Sequence, residues 1–590
     1  AYANAMGATV TISMTDSTIY SYAGDGIEIK AEAYAFADSS KKGYEGNAYA
    51  TGGTLNVTLT NSKIDAYNDS GPDSNEGIFA DFDVTAKSEY GTAEATGPSV
   101  TIGLNNSAIY AYDDGLDIEG DADAYGEFAT ATGGTFNISL TNGSYIVAED
   151  EGVEIDADVE ASHKYGTAQI AMATGATITL SMDDSSIYSY NGEGLELESD
   201  SYAKGSYAYA IGATVNVSLA NGSYINAKKY GIELDFDADA DGEGDDVAEA
   251  TGATIMLSLV DSSIYAGEDG INIDADADSK SAYYSTATGP TVDISLTNSF
   301  IGAYDDGIYA QVGADAEGKN SYAYGATVTL ALDDSGIYSY DGDGINMKGK
   351  TEANGSYALG ATVDISLVNE SKVKGYGDGI DLSFETDADG TIATAVGATF
   401  IFSMDMSAVK GKYNDGVAFF GDVTANGKNA YATGATVDLT LANKSFVYGY
   451  EGGIEIEAHA YAKAGYAIAT GGTITLSAAD SKIGGKYNDA IELHANADAY
   501  ANGAYPSGKL PSLSYAQGGT VGINLNNAYI FSKFGDGIDA EAEARADASY
   551  YYGSANEYAV AKGGTITLSA INSVIYGKYD GLDMEADAKA

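Results

Sequence analysis

The chain has 590 residues, 87 Asp and Glu against 28 Lys and Arg, a formal net charge of −59, and neither Cys nor Trp. Such a field repels nucleic acid and anionic membrane surfaces, no run of eighteen apolar residues offers a transmembrane span, and a disulfide scaffold is excluded. Acidity alone would suggest disorder, but 44% hydrophobic residues set in strict alternation can bury a core.

Along the chain, a glycine followed by an alternating run recurs at Gly26, Gly77, Gly115, Gly152, Gly194, Gly231, Gly270, Gly307, Gly344, Gly379, Gly416 and Gly453. Ala490 replaces it once, and it returns at Gly537 and Gly581. Seven of the fourteen intervals are 37 residues, which marks a repeat architecture. The phrase IYAYDDGLDIEG at Ile109–Gly120 returns as IYSYNGEGLELE at Ile187, IYSYDGDGINMK at Ile337 and VYGYEGGIEIEA at Val447. Loops interrupt the rhythm at 68–76 (NDSGPDSNE), 503–514 (GAYPSGKLPSLS) and 546–558 (ADASYYYGSANEY).

The period divides again. The runs opening at Gly175 and Gly194 align, Tyr188 with Tyr207 and Tyr190 with Tyr209. This predicts an all-β parallel β-solenoid of about 30 coils, each 18–19 residues long and paired into the 37-residue repeat, as one continuous domain over 1–590 with rungs about 4.8 Å apart. An antiparallel meander would need tight two-residue turns, and a transmembrane barrel would need an apolar outward band; the sequence has neither. Even positions after the glycine point inward: Ala176, Ile178, Leu180, Met182 in one run, Leu195, Leu197, Ser199, Ser201 in the other. Bulky residues of one coil are expected above small ones of the next, as Ala435, Val437, Leu439, Leu441 above Ile454, Ile456, Ala458, Ala460.

The outward positions are then Thr177, Thr179 and Ser181 in one run and acids in the other. The acids are Asp117, Glu119, Asp121 and Asp123; Glu154, Asp156, Asp158 and Glu160; Glu233, Asp235, Asp237 and Asp239; and Asp274, Asp276 and Asp278. Alternating coils would place acidic rows about 9.6 Å apart with hydroxyl rows between them. Acids about 7 Å apart within a row can share a hydrated divalent ion, so these residues, Glu160 aside, are the candidate ligands of Ca²⁺ or a similar ion. The alternative is a solvated acidic face that needs only monovalent salt. Threonine rows interrupted in this way would not form an ice-binding face.

Tyrosines occupy the outward positions of the second strand, among them Tyr20, Tyr22, Tyr110, Tyr112, Tyr188, Tyr190, Tyr338 and Tyr340, with Tyr49, Tyr207, Tyr209, Tyr322, Tyr324 and Tyr431 in the other run. They form either a stabilising ladder or a contact strip for glycans or other molecules. Ten N-x-[ST] sequons occur; Asn142, Asn221, Asn369 and Asn443 share one turn and read as turn formers or glycan acceptors. His163, His459 and His494 form no ligand set, and acids that recur in almost every repeat are a scaffold pattern. No enzyme activity and no cofactor other than the ion is expected.

The pattern NSxIYAxDDGI resembles the coils of pectate-lyase-type β-helices, and the 19-residue pace resembles the shafts of autotransporter passengers and filamentous-haemagglutinin adhesins. The resemblance implies a right-handed helix and a bacterial surface role; no lyase active-site cluster carries over. The sequence ends in GLDMEADAKA and begins with AYANAM, two parts of one coil when joined. The expectation is an extracellular or cell-surface structural protein, a rod that associates with itself head-to-tail or laterally, or continues as part of a longer chain, into a filament or matrix fibre. The alternative is the stalk of a large adhesin that binds glycans on host or neighbouring cells.

Overall fold

A strand with every second residue apolar must hide one face, and this chain does so by coiling. The computed structural model describes residues 1–38, 46–67, 75–162, 168–502, 512–549 and 557–590. It forms two compact units, Ala1–Tyr304 and Asp305–Ala590, each a stack of parallel-paired strands. Among the described residues, no helix is long and apolar enough to cross a membrane.

The coil opening at Gly175 shows the plan. Thr177–Asp183 makes one face, Ser186–Ser189 a second and short one, and Leu195–Glu198 with Ser201–Ile211 a third, long one. The next coil repeats them as Thr214–Ala220, Tyr224–Ala227 and Ile232–Thr251. Thr177 lies opposite Thr214, Ile187 opposite Ile225 and Leu195 opposite Ile232. These are the threonine face, the short face and the acid face.

The parallel β-solenoid forms as the alternation predicts, but the coil is twice the expected length. Tyr188 lies opposite Asn226, while Tyr207 lies between Ile170 and Val247. One coil uses the whole 37-residue repeat, so among the described residues the threonine face holds eight strands in the first unit and seven in the second, not about 30 rungs. The runs from Gly175 and Gly194 resemble each other because they are opposite walls of one coil, under the same demand for inward alternation.

The residues assigned inward, from Ala176 to Met182 and from Leu195 to Ser201, are buried at their even and odd places as expected. Their packing differs from the expected large-over-small interlock. The Ala176 N–H donates to Ser199 Oγ at 3.3 Å, and a Cβ on Gly175 would stand 2.8 Å from Ser201 Oγ. Small residues therefore meet small ones across the coil, and it tapers away from Leu180, Leu195 and Leu197. Past the taper, Ala203, Ala208 and Ala210 join Ala238, Ala240, Ala248 and Ala250 in one buried alanine layer. Beside this layer the buried Ser279 Oγ donates to the Ala248 carbonyl at 2.8 Å.

The corners follow from backbone chemistry. Between the threonine and short faces the chain turns through the left-handed region, at Asp184 alone (φ 49°) or at Asn221 and Gly222 together (φ 54° and 85°), a conformation that Asn and Asp tolerate best after glycine. A buried serine follows: Ser144 Oγ donates to the Thr141 carbonyl at 2.6 Å and accepts the Ser107 N–H at 3.2 Å. Between the short and acid faces stands the recurring glycine. A Cβ on Gly115 would overlap both Ile146 Cγ2 and the Gly152 carbonyl oxygen of the next coil.

Most of the three sequence-assigned loops lies outside the described residues. Their margins are ordered: Asn75 and Glu76 are buried in a corner, and 512–514, 546–549 and 557–558 belong to the strands Ser512–Gln517, Ala544–Ser549 and Glu557–Lys562.

Candidate cation-binding column

The residue before the corner glycine is acidic in thirteen of fifteen repeats, Tyr230 and Gly452 being the exceptions. The aspartates among them brace the next coil. Asp114 Oδ1 accepts the Glu151 N–H at 2.8 Å, Asp306 Oδ1 that of Asp343 at 2.6 Å, and Asp378 Oδ1 that of Asp415 at 2.6 Å. Coil after coil, with one gap in each unit at Tyr230 and Gly452, these carboxylates form a column and approach the first acid of the neighbouring strand.

Oxygen trios result. Single oxygens of Glu76, Asp113 and Asp114 lie within 4.8 Å of one another, as do those of Asp114, Asp117 and Glu154, of Glu151, Glu193 and Glu196, and of Asp343, Asp378 and Asp381. Glu76, Asp114 and Glu193 are buried. The buried Glu76 Oε2 and Asp381 Oδ1 have no hydrogen-bond partner, and neither does the Oδ1 of Asn346, which lies opposite Asp381. Carboxylate oxygens gathered in this way and only partly satisfied match the hard-oxygen chemistry of Ca²⁺ or Mg²⁺.

Of the sequence-assigned ligands, Asp117 and Glu154 enter a trio. The others stack in columns. Glu119 lies opposite Asp156, Asp235 opposite Asp274, Asp237 opposite Asp276 and Asp239 opposite Asp278, while Asp123 faces Glu160. Asp121 and Asp158 repel one another across the same gap, and Glu233 lies opposite Glu196. The expected 9.6 Å spacing is corrected: acids sit on successive coils of the acid face, about 4.8 Å apart. The hydroxyls run down a separate wall, with Thr177, Thr179 and Ser181 opposite Thr214, Asn216 and Ser218. The objection to an ice-binding face therefore fails as stated. What breaks the hydroxyl array is Met256 and Asp293 in its middle column, with Ile401 and Asp438 in the second unit.

Crowding sets the electrostatics. Burial, with Glu154 and Glu119 beside it, pushes the Asp117 carboxyl up to about 8. Burial and Glu196 do the same to Glu154, about 8, and burial with Glu193 to Glu196, about 8. Asp378 rises to about 7 through burial and Asp343. Glu151 is pushed well above the carboxylate range by burial and by sharing hydrogen bonds with Asp114 and Glu193. Cations are few. Lys229 Nζ reaches Glu193 at 3.1 Å, and His494, held up at about 9 first by its hydrogen bond with Glu457, lies 3.5 Å from Glu492. His459 sits 3.2 Å from Asp498, and His163 lies outside the described residues.

The tyrosines form ladders on the short face. Tyr188, Tyr224, Tyr265 and Phe300 follow one another at centroid distances of 5.6, 5.5 and 5.4 Å. Tyr190 is 56% exposed at the corner beyond. The four sequon asparagines assigned to one turn are turn residues: Asn142, Asn221, Asn369 and Asn443 have φ of 57°, 54°, 55° and 51°. Their side chains bond along the stack, Asn221 Nδ2 to Asp183 Oδ1 at 2.6 Å and Asn443 Nδ2 to Asp405 Oδ1 at 2.8 Å.

Compared with known proteins, the chain matches no family model, no curated protein and no solved structure. The corner acids Glu76, Asp114, Glu193 and Asp378 are missing from the ligands assigned by sequence alone. Their signal was present, as the acid that precedes almost every corner glycine, but it reads as turn chemistry until the 37-residue coil stacks those acids in one line.

Proposed function

We propose that this chain is an extracellular structural solenoid, the body of a cell-surface filament or matrix fibre, whose corner carboxylates are bridged by divalent cations such as Ca²⁺. The observation that carries the reading is the sameness of the coils: the same serine, asparagine, aspartate and glycine braces recur at the same corners, and among the described residues the acids form columns with no singular pair set apart for catalysis. A scaffold needs this uniformity, and an enzyme does not. Cation binding would relieve the repulsion inside the oxygen trios and make stiffness respond to the ionic medium.

Electron microscopy of the native cell surface with an antibody against the solenoid tests this directly. Labelled fibres or shafts are expected; label confined to the cell interior overturns the reading. The exposed tyrosines Tyr20, Tyr22, Tyr190 and Tyr340 favour a second reading, an adhesin stalk. A glycan array separates the two, because selective glycan retention that is lost on replacing these tyrosines supports the adhesin.

A further inference from the structure

In the unit Asp305–Ala590 the corner between the short and acid faces carries a second column, of aromatic rings. Tyr376, Tyr413, Tyr450, Tyr487 and Phe534 succeed one another at centroid distances of 4.5, 5.9, 4.8 and 5.3 Å. Lysines lie on the rings. Lys412 Nζ is 3.9 Å from the Tyr376 centroid and 5.1 Å from that of Tyr413. Lys486 Nζ is 3.8 Å from Tyr450 and 4.7 Å from Tyr487, while Lys533 and Lys578 lie 5.1 and 4.6 Å from Phe534. Tyr413 and Tyr487 are 46% and 48% exposed. The sequence writes this column as GKYND at 411–415 and again at 485–489, SKFGDG at 532–537 and GKYDG at 577–581.

In a chain with so many acids, these four lysines rest on rings. A cation over a ring face keeps its charge available to a partner, and the rings give rigid, amphipathic contact area. The charge is also unevenly divided: 1–304 holds 50 acids and 10 bases, 305–590 holds 37 acids and 18 bases. The first unit displays the complement, columns of carboxylates such as Asp156, Glu198, Asp235 and Asp274, one per coil. Ladder and column are built on the same coil pitch, so the lysines, which stand whole coils apart with the Tyr450 coil carrying Gly449 in place of one, can each meet a carboxylate in register.

We propose that the lysine–aromatic ladder of one molecule docks on the acid columns of a second copy of this chain. The contact deepens the fibre reading by giving it a lateral bond. Its salt dependence is distinctive. Net repulsion between the two copies reaches ~30 Å at about 0.01 M salt but only ~8 Å at about 0.15 M, where contact pairs survive; at about 1 M contact pairs are screened too. Association therefore peaks at intermediate salt.

The test is sedimentation of the full chain across that salt range. It compares the wild type with a ladder variant (Lys412→Glu, Lys486→Glu, Lys533→Glu, Lys578→Glu) and a control of equal charge change (Lys372→Glu, Lys428→Glu, Lys444→Glu, Lys463→Glu). Circular dichroism melts confirm that each is folded. The expected result is intermediate-salt association of wild type and control, weakened at least about tenfold in the ladder variant, and restored when that variant is mixed with a chain carrying Asp156→Lys and Asp235→Lys. Equal association of ladder variant and control overturns the proposal while leaving the fibre reading in place. A wild type that stays monomeric at every salt, or that associates only on added polygalacturonate, also overturns it, the latter assigning the ladder to an acidic polysaccharide.

Discussion

Gly120 lies beneath the ring of Phe136: a Cβ at position 120 would stand 2.6 Å from Phe136 Cζ. The glycine comes from the acid face and the ring from the threonine face of the same coil. Elsewhere the partners exchange walls. Phe82 on the acid face faces Gly53, whose Cβ would stand 3.2 Å from the ring. In these two coils a phenylalanine on one wall meets a glycine on the other, whereas in the second unit Phe384 and Phe400 supply rings from both walls, 5.5 Å apart.

Gly120→Ala should therefore cost about 1–3 kcal/mol by overpacking, and Phe136→Leu should recover most of that loss in the double variant. Urea melts of the two single variants and the double variant measure the coupling. Additive effects would place the two residues apart.

Two glycines in neighbouring repeats should respond oppositely to alanine. At Gly115 a Cβ overlaps Ile146 Cγ2 and the Gly152 carbonyl, so Gly115→Ala should disrupt the corner or abolish folding. At Gly103 the nearest atom to a Cβ is the Val57 carbonyl oxygen at 4.0 Å, and Gly103→Ala should be neutral or stabilise by about 0.4–1 kcal/mol. Thermal melts of the two variants give the comparison, and equal losses would contradict the corner geometry.

The acid columns set a pH dependence of definite sign. Asp117, Glu154 and Glu196 hold their protons more tightly in the folded chain than their ordinary values of 3.8, 4.5 and 4.5, up to about 8 in each case. The folded state binds more protons, so the stability these groups contribute is full below about pH 4 and is lost as pH rises through about 8. His494, raised to about 9, adds a loss of the same sign between about 6.5 and 9. Melting in EDTA should fall steadily from pH 5 to pH 8.5, and Ca²⁺ should raise it at pH 8.5 and scarcely at pH 5. Asp114→Asn with Glu154→Gln should shrink the calcium increment. A melt indifferent to Ca²⁺ at pH 8.5 removes the bridging ion.

The fold was legible in the sequence as far as its class. Alternation from Ala176 to Met182 and from Leu195 to Ser201 placed the inward side chains correctly, because a period of two depends on local geometry alone. The coil length was not legible, because the Gly175 and Gly194 runs satisfy the same alternation as opposite walls of one coil or as successive coils. The sites suffered from that ambiguity: doubling the coil halves the spacing of the acids, moves the threonines to another wall and brings Asp114 to Asp117 and Glu154. The lysine–aromatic ladder was equally hidden, since Lys412 and Tyr376 are neighbours only across a coil.

The stacking pitch is the central claim, and a chain without cysteine allows a direct measurement. Thr179 lies opposite Asn216 on the threonine face, whereas Thr177 and Glu196 belong to different walls. Neighbouring parallel strands run about 4.8 Å apart, within the Cα separation that a disulfide spans. Thr179→Cys with Asn216→Cys should cross-link on mild oxidation of the folded chain, and Thr177→Cys with Glu196→Cys should not. Cross-linking of the second pair and not the first would restore the 18–19-residue coil and contradict the account.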